Sequence, residues 1–67
     1  MIHIGHLIRR ELIRQHHSVT WFAEQMACSR TSVYKIFDNP AISTDTLVRI
    51  CKVLNVDFFK MYSDKLD

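Results

Sequence analysis

Arg30, Thr31, Tyr34 and Lys35 lie within six residues of one another, and their spacing pairs Arg30 with Tyr34 and Thr31 with Lys35 at i, i+4. Residues four apart in a helix share a face, so the four side chains project from one side. Val33, Ile36 and Phe37 fall at i, i+3 and i+4 on the opposite side, an apolar stripe suited to a core. The polar face therefore stays free for a partner. A guanidinium can donate two parallel hydrogen bonds to the O6 and N7 of guanine, an ammonium can reach guanine or phosphate, and the threonine methyl suits the methyl of thymine. The chemistry on offer is the reading of base edges in a DNA major groove.

Other reactive residue types are present without a pattern that would use them. His3, His6, His16 and His17 accompany Cys28 and Cys51, yet there is no Cys-x-x-Cys and the cysteines sit far apart inside apolar helical stripes. That spacing speaks against a structural metal, and both cysteines read as reduced core residues. No recognised catalytic motif occurs, and a chain of 67 residues has no room for a sizeable substrate pocket. The expectation is a binding protein, not an enzyme, with no cofactor, no metal and no evident small-molecule ligand.

The elements that must hold the Arg30 face in place are legible from periodicity. Ser18 to Phe37 reads SVTWFAEQMACSRTSVYKIF, which lays out two short helices and a tight turn. In the first, Phe22, Ala23 and Met26 form the inner stripe; Cys28 fills the turn, and the second helix begins near Ser29. Ser18 and Ser29 are suitable N-caps, because a hydroxyl there accepts a bond from a free backbone N–H one turn in. Upstream, Ile4, Leu7, Ile8 and Leu12 make an amphipathic helix from Ile4 to about Gln15. His16 and His17 then stand at its negatively polarised end.

Downstream, Asp38-Asn39-Pro40 ends the third helix, since proline disfavours a helical residue before it. Ser43 or Thr44 caps a fourth helix whose apolar face is Leu47, Ile50, Cys51 and Leu54, and Asn55 closes it. Asp57 opens a last short helix, about 57–63, containing Phe58, Met61 and Tyr62. Phe59 is the residue most expected to be left outside the core, and Phe59 and Tyr62 are the candidates for a dimer interface. Trp21 suits either packing against the first helix or a partner contact. The predicted architecture is all-α, five helices in one domain spanning 1–67.

A chain this short buries roughly 60% of the surface it exposes when unfolded, so thin stability and association with a second copy are expected. The formal net charge is only +2, but it is unevenly placed. Residues 1–37 carry five arginines and lysines against two glutamates, whereas residues 38–67 carry four against five aspartates. The basic half holds the two-helix segment, which suits a phosphate-facing side. No secretory signal pattern and no apolar run of about 20 residues is present, so a cytoplasmic protein without a membrane partner is expected.

With Phe22-Ala23, Ala27, Cys28, Val33, Ile36 and the fourth-helix pattern Leu47, Ile50, Cys51, Leu54, Val56 in place, the chain resembles the Cro/cI-type repressors, the XRE family, from Ile4 to Met61. That resemblance implies a lambda-repressor-like five-helix bundle with a helix-turn-helix at about 18–37. It implies that Ser29, Arg30, Thr31 and Lys35 approach base edges and nearby phosphates, with Tyr34 at the edge of that surface. Ser18 and Thr20 can hold a phosphate through hydroxyls and free N–H groups. The partners implied are double-stranded DNA and a second copy, reading two half-sites about 34 Å apart with the helix at about 29–37.

Three features depart from the family pattern. Ala27 stands where the family usually has glycine, making a left-handed turn costlier. The loop after the recognition helix reads DNPAI, with Asp38 in place of phosphate-gripping cations, which predicts weaker binding and a shallower salt dependence. By spacing, Leu12 and Phe37 occupy places where some repressors keep an ion pair, so an apolar contact replaces it at little cost. Low charge, the acidic loop and surplus aromatics also fit an alternative: a helical protein-interaction module, or an antitoxin-like partner-binding protein, that keeps the fold without specific DNA reading.

Overall fold

In the computed structural model, which describes residues 2–64, five helices follow in order: α1 Ile4–Arg14, α2 Val19–Met26, α3 Arg30–Asp38, α4 Thr44–Leu54 and α5 Phe58–Asp64. No strand occurs among the described residues. Each helix places its apolar stripe in one core made of Ile4, Ile8, Leu12, Phe22, Ala23, Met26, Val33, Phe37, Leu47, Ile50, Leu54 and Phe58. Most of the residues expected from periodicity are buried, but Leu7, Ile36, Val56 and Met61 are only half-buried at the edge of the core and Tyr62 is exposed, and Cys28 and Cys51 are free thiols at the rim of the core, not inside it.

Short polar caps set the helix starts. The Oγ atoms of Ser18, Ser29 and Ser43 accept from the backbone N–H of Trp21, Ser32 and Thr46, so Ser43, not Thr44, caps α4. Asp57 Oδ1 accepts from the Lys60 N–H, which puts Asp57 before α5 and starts the helix one residue later than expected. At α1 the cap is His3, whose Nδ1 accepts from the His6 N–H at 3.2 Å while the two rings stack at 3.6 Å.

Three helices end in a left-handed residue, and none of the three is glycine: His16 (φ 62°), Ala27 (φ 55°) and Asn55 (φ 55°). After α1 the N–H groups of His17 and His16 bond back to the carbonyls of Leu12 and Ile13, and after α2 those of Cys28 and Ala27 bond to Ala23 and Glu24. These are paired Schellman bonds, which satisfy carbonyls that have no partner inside the helix. The first of these ends closes α1 at Arg14, one residue short of the expected Gln15. Gln15 instead donates from Nε2 to the Leu54 carbonyl at 2.8 Å and to Glu11, tying the ends of α1 and α4 together.

Glu11 also accepts from Arg14, and these hydrogen bonds, Arg14 first and Gln15 second, hold its carboxyl below the usual glutamate range. A carboxyl held low stabilises the fold above its unfolded value, and that contribution fades as pH falls through the folded one.

Ala27 carries the cost expected of a Cβ in the left-handed region. Its side chain is exposed, so removing it loses little packing. Ala27→Gly should therefore raise stability by about 0.5–1 kcal/mol, the strain relieved minus the extra backbone entropy of glycine. Paired thermal melts measure this as a rise of a few degrees; a lower melting temperature would contradict the left-handed assignment.

Candidate nucleic-acid interface

The segment from Ser18 to Asp38 is held by the rest of the bundle from two sides. α3 packs against both α1 and α2, and α2 packs against α4. Phe22 and Phe37 stack across the α2–α3 contact with ring centroids 6.4 Å apart and an interplanar angle of 6°. From α4, Arg49 donates Nη2 to the Met26 carbonyl at 2.9 Å, which fixes the end of α2 where the chain turns. The Ala27 left-handed bend and the Ser29 cap then start α3 three residues later.

α3 turns Val33 and Phe37 inward and leaves Arg30, Thr31, Tyr34 and Lys35 exposed. Tyr34 is 55% exposed, and its ring leans edge-on against Phe37 at 6.2 Å, so a core aromatic props it on the outer face. Neither Arg30 nor Lys35 forms an ion pair or a side-chain hydrogen bond with another described residue; among them the ion pair formed is Arg14 with Glu11. Their donors are unspent. Ser29, at the cap, is exposed but shares its Oγ with the Ser32 N–H and hydroxyl.

Ser18 and Thr20 are both exposed at the start of α2. Ser18 Oγ accepts from the Trp21 N–H, and the Val19 and Thr20 N–H groups ahead of it have no partner among the described residues. Trp21 is half-buried and stacks on His17 at 3.6 Å, so it packs against the connection out of α1. Leu12 and Phe37 are both buried in the core, in place of the ion pair found in some repressors.

Phe59 and Tyr62, on α5, are each 38% exposed, and Phe59 borders an apolar groove with Val48, Cys51 and Val56 between α4 and α5. Phe58 beside them is fully buried. No group of three or more metal-ligating side chains comes together among the described residues, and no described helix is long and apolar enough to cross a membrane.

Periodicity did not single out the residues that set the mutual position of these helices. Gly5, Gln15 and Arg49 fix the α1–α3, α1–α4 and α2–α4 junctions. Only Gly5 left a sequence signal, as a lone glycine inside an amphipathic helix, which marks close packing.

Five helices around one core, with a short helix, a left-handed turn and a second helix whose outer face is polar and free, define a helix-turn-helix DNA-binding domain. Residues 8–59 match the model of the Cro/C1-type HTH DNA-binding domain family, and the chain belongs to that family. No curated protein and no solved structure matches the chain.

Proposed function

We propose that the chain is a sequence-specific transcriptional regulator, one DNA-binding domain over 1–67, that inserts α3 into the major groove as a homodimer. The observation carrying this reading is the outer face of α3: two cations, a hydroxyl with a methyl, and a tyrosine propped on Phe37, all exposed, their polar groups without a hydrogen-bond or ion-pair partner among the described residues. Arg30, Thr31 and Lys35 supply base choice, Tyr34 borders that surface, and Ser29 approaches the backbone at the cap. Ser18 and Thr20 hold a phosphate at the start of α2. Phe59 and Tyr62 supply the contact between copies, since a domain of this size has apolar surface there that it does not bury itself.

Selection from random duplex DNA tests the reading. Enriched sites should be palindromic, with half-sites about 34 Å apart, as a two-fold dimer requires. Affinity should fall steeply with salt as counterions are released. The exposed α4–α5 groove also supports a second reading, a helical protein-interaction module. That one is favoured if no sequence is enriched at low salt, because an apolar contact responds little to ionic strength.

A further inference from the structure

Arg30, Tyr34 and Asp38 succeed one another at i, i+4 along α3, so this exposed stripe opens on a cation and closes on a carboxylate. A phosphate backbone following α3 toward its C-terminus would meet Asp38, and the loop beyond it, Asn39-Pro40-Ala41, supplies no cation. The structure places a different cation at that end. α1 packs across α3, and a cleft between them is lined by His6, Arg9, Tyr34, Phe37 and Asp38. Arg9 is exposed, is the cleft's one permanent positive charge, and forms no ion pair or hydrogen bond with any described residue, Asp38 included.

We propose that Arg9 is a phosphate-binding residue, gripping the DNA backbone beside the C-terminal end of α3 and taking the part that a basic loop would otherwise play. The inference rests on α3 being the DNA-facing helix. A guanidinium offers donors in a fork that matches two phosphate oxygens, and Arg9 needs to give up no internal partner to use them. Its place beside Tyr34 and Asp38 puts that fork at the margin of the reading stripe, where contacts position the protein and carry no sequence information. The carboxylate of Asp38 opposes an incoming phosphate, and Arg9 is the group that offsets it.

Arg10 is the built-in control. It follows Arg9 in sequence and is also exposed, but it lines the neighbouring groove, which shares His6 with this cleft and otherwise runs along Leu7, Met61 and Asp64 toward α5. Arg9→Ala and Arg10→Ala thus remove the same charge from the same helix, on different sides. Binding of the whole chain to a selected duplex and to a random duplex is measured from about 50 to about 200 mM salt, with melts confirming that each variant is folded. Each phosphate contact accounts for roughly a 3–4-fold loss of affinity across that range. Arg9→Ala should shrink the parent's loss by that factor and lower the salt slope by about one for each bound protomer, and weaken both duplexes alike. Arg10→Ala should leave the slope unchanged.

An Arg9→Ala slope equal to the parent's, or equal slope changes in the two variants, overturns the assignment while leaving DNA binding intact. A parent that binds neither duplex at low salt overturns the DNA reading itself, and this inference with it.

Discussion

Gly5→Ala should remove a large part of the stability of this fold. A Cβ built on Gly5 would lie 2.4 Å from the carbonyl oxygens of both Ile36 and Phe37 and 2.7 Å from the Phe37 carbonyl carbon. These are backbone atoms of the last turn of α3, so no side-chain rotation relieves the overlap. The Gly5 N–H also donates to the Asn39 carbonyl at 3.1 Å, pinning the start of α1 to the exit of α3. Making room means sliding one helix off the other and breaking that bond.

Overpacking of this kind costs about 1–3 kcal/mol, and rigid neighbours on both carbonyls put Gly5 at the upper end. Alanine's better helix propensity returns about 1 kcal/mol. Against a total of roughly 3–5 kcal/mol for a core this size, a net loss of about 2 kcal/mol or more leaves a marginal protein. Circular-dichroism melts should show a drop of about 10 °C or more, at about 4–8 °C per kcal/mol. An alanine variant melting with the parent would mean that the two helices do not approach this closely. The same displacement shifts α3 on its support, so DNA affinity should fall even in the fraction that stays folded.

Gly5 also marks how far the sequence could be read. Helix number, order and inward faces follow from the 3.6-residue period, and residues such as Ile8, Phe22, Val33 and Leu54 are buried where that period puts them. Caps follow from local chemistry, because Ser18 and Ser29 need only a hydroxyl three residues before a free N–H. What periodicity does not encode is which helices meet and through which atoms. Gln15 reaches the Leu54 carbonyl 39 residues away, and Arg49 reaches that of Met26 across 23. Neither bond has a local signature.

The outer face of α3 was legible for the same reason as its inner one, since the two are complements on one helix. The cleft holding Arg9 was not, because it exists only where α1 crosses α3. Ile36 shows the limit from the other side: its i+3 position fits the stripe, yet it sits at the margin of a bundle too small to cover it.

Arg30→Ala should give the largest effect on DNA recognition. Arg30 is the first residue of α3, exposed and unpaired, and the N-terminal residues of a recognition helix are those that reach base edges. Loss of a bidentate arginine–guanine contact costs about 1–3 kcal/mol, and a homodimer loses it in both half-sites, about 2–6 kcal/mol together. Affinity for the selected operator should fall by a factor of about 30 to about 3 × 10⁴, while binding to random duplex, which rests on phosphates, should fall by far less.

Arg30→Lys separates geometry from charge. The ammonium keeps the positive charge but presents a compact donor without the planar fork, so it should keep the parent's salt slope and lose the base preference. Repeating the selection with Arg30→Ala should leave one symmetry-related pair of positions degenerate and the rest of the site unchanged. Retention of the parent's base preference at every position would show that Arg30 touches the backbone or solvent, and base choice would then fall to Thr31 and Lys35. Folding does not confound the comparison, because Arg30 makes no side-chain hydrogen bond or ion pair within the described residues and the Ser29 cap does not depend on it.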